Sequence, residues 1–491
     1  VTDIFGQTLN LNYVLLLPEI VLLIFSMLVI GIDAFKRQLN ISGNVPVGLA
    51  LAGLVVALTL SILQVNMDED FARLIQVDSF TSFFRILFIA ITLVLIVGSH
   101  EYIEKSVSHV GEFYGLLLLA TVGAMLMASA RELLTAYLAI ELLSFSLYIA
   151  VSLARSDRRS GEASLKYVLL GGVASASLLY GLSMIYGVTG ATQYHEISAV
   201  LSAGDTGLTT PLLLGLVLII VGLGFKASAV PFHMWTPDAY EGAPIPVTAF
   251  LSATSKAATI ALFLRWFGGP LLPIASDWQF ILSGVAVATM VVGNLVALQQ
   301  VNIKRLLAYS SIGQMGYMLM AIVAVGSGFG SDATSAVLVH LAGYIITNLL
   351  VFISVTHFFN QTGQEEITSF KGLAQSNPYL ALMITAGLFS LAGMPLLVGF
   401  FTKFILFQAV VSAGHLGLVT VAVVASTVSL YYYLMVVRQM YLYEPEDGTE
   451  QWRLSLTGYV TTLALFVSLV VFGLWGTPLY AAADAAAAGM F

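Results

Sequence analysis

The chain has 491 residues, of which 58% are hydrophobic and only 9% charged, where a soluble protein carries about 25% charged residues. Mean hydropathy is +0.93, so a large water-soluble enzyme is excluded and a chain immersed in lipid is indicated. The formal net charge of −8 is spread over short loops with no polybasic patch, so no nucleic-acid partner is expected. There is no cysteine, which excludes disulfides, thiolate-bound zinc and cysteine-ligated iron–sulfur clusters within the chain.

A hydrocarbon core of ~30 Å needs about 20 apolar helical residues to cross it. Fourteen such stretches follow one another, at roughly 14–35, 45–65, 79–99, 113–130, 132–154, 163–188, 209–240, 245–267, 275–298, 304–325, 333–359, 378–411, 416–441 and 455–475. The first is too long for a signal-peptide core and has no basic region before it. The stretches are continuously apolar, without the alternation of barrel strands, so they read as helices. The fold class is therefore an all-α polytopic membrane protein of about 14 transmembrane helices.

Lys and Arg orient the chain. Loops after odd-numbered spans hold Lys36, Arg37, Lys105, Arg155, Arg158, Arg159, Lys304, Arg305, Lys371, Arg438 and Arg453. Loops after even-numbered spans hold Arg73, Arg131 and Arg265. The excess of positive charge marks the cytoplasmic face. It predicts a multi-pass protein with both termini on the non-cytoplasmic side, with a bacterial inner (plasma) membrane as the default location.

The seventh and twelfth stretches are overlong and contain Pro231 and Pro395, 164 residues apart, with Gly222 and Gly224 before the first and Gly393 and Gly399 around the second. Proline removes a backbone donor and clashes with the preceding turn. Paired broken helices in corresponding halves point to internal repeats and a site near the midplane. Spans 4–8 and 9–13 read as two five-helix repeats, inverted because five is odd. The division is 1–112 for spans 1–3, 113–270 and 271–441 for the two repeats, and 442–491 for span 14 and a tail.

Five ionisable residues interrupt apolar runs: Glu141, Lys166, Lys226, Lys256 and Lys403. A charge at the bilayer centre costs ~2.5–3.5 kcal/mol on insertion scales, so these side chains must face the interior, pair, hydrate or lose their charge. Burial disfavours a charged amine and a nearby carboxylate favours it, which makes a buried lysine with a movable partner a proton switch; arginine would stay protonated. Lys226 and Lys403 sit in the broken helices, and Glu141 is the modulating carboxylate. Lys166, near a span entrance, could equally snorkel to the interface. Thr248, Ser252, Ser255, Lys256 and Thr259 form a polar stripe along span 8; such hydroxyls line a hydrated path or glue close-packed helices, and Lys256 among them favours the path. His233, just after Pro231, and His340 in span 11 are relay candidates. Glu19 and Arg85, near span ends, read as anchors or a structural pair. No phosphate-binding glycine loop and no His/Cys cluster with metal spacing occurs, so neither a metal nor redox chemistry is expected in this chain.

The stretch Gly224-Phe-Lys-Ala-Ser-Ala-Val-Pro-Phe-His-Met-Trp-Thr-Pro-Asp-Ala-Tyr-Glu-Gly-Ala-Pro244, continuing to Lys256, closely resembles the signature of the proton-conducting antiporter-like membrane subunits. Such subunits occur in complex I, in multisubunit cation/proton antiporters and in membrane-bound hydrogenases. Asn302-Ile-Lys-Arg-Leu-Leu-Ala-Tyr-Ser-Ser-Ile-Gly-Gln-Met-Gly-Tyr317 looks like a second motif of that family. Glu162-Ala-Ser-Leu-Lys-Tyr167 and Leu15-Leu-Leu-Pro-Glu19 resemble the N-type subunit; the M-type typically has a glutamate where Lys403 stands. The resemblance implies that Glu141 pairs with Lys226 as carrier of a first half-channel, that Lys256 connects, and that Lys403 carries the second. It implies a proton-translocating membrane-arm subunit of an NADH (or related donor):quinone oxidoreductase, partnered by other membrane subunits. NAD, flavin, iron–sulfur clusters and quinone would be held by those partners. A subunit of a cation/proton antiporter or a membrane-bound hydrogenase is the alternative.

Overall fold

In lipid a backbone amide finds no water, so each apolar run closes its own hydrogen bonds as a helix. The computed structural model describes residues 11–39, 44–107, 109–154, 157–203, 209–445 and 451–490; Arg155 of the orientation argument lies outside them. Among the described residues thirteen helices are long and apolar enough to cross a membrane, and the shorter pair Pro378–Ala392 and Val398–Ser412 supplies a fourteenth crossing. Polar residues at the interfaces start many of them. Asp78 accepts from the Thr81 N–H at 2.7 Å before span 3 (Ser79–Ser106). Glu132 accepts from the Thr135 N–H at 2.7 Å before span 5 (Leu133–Val151). Asn302 accepts from the Lys304 and Arg305 N–H groups before span 10 (Ile303–Val325). Each satisfies amide groups that the helix itself leaves open.

Both predicted breaks are present. Span 7 divides into Thr210–Ala227 and Trp235–Gly242, the first ending on Ser228 in the left-handed region (φ 60°). Span 12 ends its first half on Gly393 at φ 90° and resumes at Val398. The two five-span sets share a pattern of neighbours. Span 4 (Val110–Ser129) packs on span 5 as span 9 (Ala275–Ala297) packs on span 10. Span 6 (Arg158–Thr189) lies along broken span 7 as span 11 (Gly330–Thr362) lies along broken span 12. In each set the last span returns to the first, span 8 to span 4 and span 13 (Leu416–Leu442) to span 9.

The sets differ in cover. The most apolar 18-residue window of span 6 is 33% buried, whereas those of span 8 (Ile245–Phe267) and span 11 are 100% and 94% buried. Spans 8, 10 and 11 thus form the centre of the molecule. Spans 1 to 3 pack outside span 4, with span 3 reaching span 11. They are locked by Arg85, fully buried, which donates to Glu19 at 2.7 Å, to Gln64 at 2.9 Å and to the Leu15 carbonyl at 3.0 Å.

Three features go beyond the sequence reading. Residues Glu69–Phe71 and Ile75–Val77 form a two-stranded antiparallel hairpin in the loop after span 2. The tail is in part a helix, Thr477–Ala488, lying against spans 3 and 11, where Ser335 donates to Asp484 at 3.1 Å. At 12 residues it is too short to cross. Span 8 carries a π-turn at Leu251–Ser255. It widens the helix by one residue per turn, so the polar residues of this span do not share one regular α-helical face.

The loops sort by parity. Isolated bridges join Ile75 to Ala130 and Glu132 to Gln193, gathering the loops after spans 2, 4 and 6. A bridge from Asn302 to Glu366 joins the loops after spans 9 and 11.

A buried series of lysines and their partners

The break in span 7 leaves carbonyls at the end of Thr210–Ala227 without helical partners. Lys256 of span 8, fully buried, donates to the Ala227 carbonyl at 2.8 Å and to the Ser228 hydroxyl, which also accepts from Thr236 at 2.5 Å. A cation at a helix C-terminus is favoured by the helix dipole. Lys226 is 5% exposed and turns to span 5, where it donates to Ser144; Ser144 in turn donates to the Ile140 carbonyl. Among the described residues Glu141 makes no ion pair with Lys226 within 4.0 Å. Its carboxylate instead accepts from Ser175, whose hydroxyl lies 3.0 Å from that of Tyr137. The expected pair is therefore two adjacent hydrogen-bonded units, one helical turn apart on span 5, with Ser144 as the local acceptor for the amine.

The second break repeats the arrangement with a different helix supplying the amine. Lys403, on the second half of span 12 and 5% exposed, donates back to the Leu391 carbonyl at 2.8 Å and to Ser426 at 2.9 Å. Each of these three lysines also lies over an aromatic ring: Lys226 5.7 Å from Tyr148 and 5.9 Å from Tyr167, Lys256 5.6 Å from Trp235, Lys403 5.3 Å from Tyr317. These are cation–π distances.

Between the breaks runs a line of side chains on spans 8, 10 and 11. Asn348 donates to Ser252 at 2.7 Å and to the Tyr344 hydroxyl at 3.1 Å, and Tyr344 donates to Ser311 at 2.9 Å. One turn away His340, 2% exposed, sits 3.2 Å from both Thr402 and the Gln314 carbonyl oxygen. Gln314 donates to the Leu391 carbonyl at 3.2 Å, the group that also accepts from Lys403. His340 thus stands beside the second break, with its Nε2 towards the side-chain oxygen of Gln314.

His233 is half-buried after the first break, and its Nδ1 has no partner. The hydroxyls of Tyr167, Thr254 and Ser255 around the first break are likewise buried and unpartnered.

Lys166 takes the interfacial one of the two placements left open for it. It is 45% exposed and pairs with Glu162 at 2.8 Å and Asp238 at 2.9 Å, and Asp238 also accepts from Arg305 at 2.8 Å. Its position near the end of span 6 lets the flexible stem reach this ion network, so it does not join the buried series. Among the described residues no group of three or more His, Asp or Glu is placed to hold a metal ion.

Sequence reasoning found the lysines and missed Ser144, Ser175, Ser228, Gln314, Tyr344 and Asn348. Isolated hydroxyl and amide residues in apolar helices are common packing groups, so only their convergence marks them.

The sequence profile of the family described as "NADH:quinone oxidoreductase/Mrp antiporter, TM" matches residues 130–429. The chain is 42% identical over 403 residues to NADH-quinone oxidoreductase subunit N of Moorella thermoacetica, covering 82% of this chain and 83% of that protein. A chain of respiratory complex I from Thermus thermophilus with bound aureothin superposes with TM-score 0.79 at 31% identity, covering 95% of this chain and 99% of the other. A chain of the Mrp complex from Dietzia superposes with TM-score 0.82 at 22% identity over 97% of each, a likeness of fold alone.

Proposed function

This chain belongs to the NADH:quinone oxidoreductase/Mrp antiporter transmembrane family, with subunit N proteins among its relatives, and on that premise we propose that it translocates protons as a membrane-arm subunit of an NADH (or related donor):quinone oxidoreductase. The observation that carries this reading is the series of buried amines, each held at a broken helix or its neighbour by carbonyls and hydroxyls rather than by a fixed carboxylate. An amine bound only to neutral acceptors can give up its proton without stranding a counter-ion.

A charge change at Glu141 would be felt by Lys226 across one turn of span 5, then by Lys256 at the same break, and through the Asn348–Tyr344 line by His340 and Lys403. Moving one charge against a membrane potential costs ~2.3 kcal/mol per 100 mV. A change of one pKa unit is worth ~1.4 kcal/mol, so a displacement of one to two units per lysine suffices. Spans 4–8 and 9–13, residues 113–270 and 271–441, act as two half-channels. Electron transfer, with its NAD, flavin, iron–sulfur clusters and quinone, belongs to partner subunits.

Partners also cover the series at its outer members. Glu141 lies between Leu138 and Phe145, each 59% exposed, and a carboxylate on such a face needs another membrane subunit against it. A cavity of about 290 Å³ walled by Phe400, Phe404 and Val423 reaches Lys403. The excess of Lys and Arg on the odd-numbered loops favours a cytoplasmic position for that face, with a bacterial plasma membrane as its setting. The antiporter reading rests on the shared fold and is the second choice, because the subunit N relatives extend over most of the chain.

Lys226→Ala in the assembled complex, reconstituted in vesicles, is expected to abolish or sharply reduce proton translocation driven by NADH oxidation. Unchanged pumping with normal assembly would falsify the proposal.

A further inference from the structure

On the face that bears the basic loops, a cavity of about 600 Å³ opens where the two five-span sets meet; Asp157, Arg159, Glu241, Lys304, Glu365 and Glu366 are among its lining residues. Its floor is the Ala243–Pro244 corner from which span 8 starts. Lys304, 3% exposed, closes that corner: its ammonium pairs with Glu365 at 2.7 Å and donates to the Ala243 carbonyl at 3.1 Å. The lysine and glutamate belong to the second set and the carbonyl to the first, so the contact bridges the seam. Backbone bonds from Ile303 N–H to Glu365 and from Ile367 N–H to Val301 hold the two loops together and fix the pair in place. Further along span 8, Thr248 donates to the Tyr240 carbonyl at 2.9 Å, Ser252 accepts from Asn348, and Lys256 follows four residues on. From Ile245 to Lys256 the rise is ~17 Å, about half of a ~30 Å hydrocarbon core.

We propose that this cavity is the mouth through which span 8 takes up protons, and that the Lys304–Glu365 pair is its gate. The inference rests on the proton-translocating reading above. The net negative lining concentrates protons at the mouth. The pair blocks Thr248 while closed. Loss of the ion pair frees the ammonium from the Ala243 corner and opens the way to Thr248 and Ser252, which hand protons on towards Lys256.

The absence of cysteine in this chain allows a direct test. Thr248→Cys places a single thiol in this subunit beneath the gate, and a membrane-impermeant maleimide is applied to the basic-loop face of vesicles holding the assembled complex. With Glu365→Gln, labelling is expected to be several-fold faster than with the native pair. The exchange Lys304→Glu with Glu365→Lys restores an ion pair and returns the native rate, which separates gating from misfolding. In chains with native Thr248, Glu365→Gln lowers pumping several-fold and the exchange recovers it. Equal labelling rates across these backgrounds, or labelling only from the opposite face, overturns the gate while leaving the Lys226 result standing. Full pumping by Lys226→Ala overturns the reading beneath it.

Discussion

The environment of a single amine decides what it can do, and Lys226 shows how finely that environment is shaped. Its ring neighbour Tyr148 fits because Gly171 has no side chain: a Cβ there would run into the Tyr148 hydroxyl. Gly171→Ala must push the ring aside, at ~1–3 kcal/mol for an overpacked site, and weakens a cation–π contact worth ~0.5–2 kcal/mol. Proton translocation is expected to fall several-fold with assembly intact. Gly172→Ala, where nothing lies within 4 Å, is the matched control and should pump normally; equal behaviour of the two variants would remove Tyr148 from the site. The lysines themselves were readable because a charge in an apolar run is costly wherever the helix points. Lys166 escaped that logic, since its distance from the end of span 6 and its reach to Asp238 depend on how the helix sits. Serine and asparagine partners carry no such penalty and leave no trace in hydropathy.

At the level of helices, the proline breaks and the pairing of spans 7 and 12 follow from backbone chemistry and length, and both were legible; the central place of span 11 was not, because burial depends on packing. Nor was the π-turn in span 8, because its one extra residue changes no composition and only shifts the phase of the side chains. The short Thr477–Ala488 helix was missed for the complementary reason: an alanine-rich segment of that length has no membrane-crossing signature. Spans 1–3 offer a separate test of element packing. Arg85 holds Glu19, Gln64 and the Leu15 carbonyl together inside the bundle. Arg85→Met leaves the Glu19 carboxylate buried without its cation, a loss of ~3–5 kcal/mol, and the thermal unfolding midpoint of the purified complex should drop. Adding Glu19→Gln to Arg85→Met is expected to recover much of it; a double variant no more stable than the single would show that packing rather than charge sets the effect.

Across the whole molecule, the loops collect on two faces by parity, and from the balance of Lys and Arg we propose that the face of the odd-numbered loops is cytoplasmic. Impermeant thiol labelling of Lys371→Cys from the cytoplasmic side and of Glu69→Cys from the other side is the expected pattern, both positions being exposed; the reverse would invert the topology. The two halves meet through Asn348, whose amide nitrogen serves both Ser252 and Tyr344. A carboxamide NH2 is a donor on both sides and does not release H⁺ at neutral pH. On the proposed proton-translocating reading, the junction would insulate against ions and conduct orientation: turning the amide would reorient the hydroxyls at both its neighbours while no particle crosses. Each half would then fill and empty from its own aqueous supply, kept in step by a rotating dipole rather than by shared cargo.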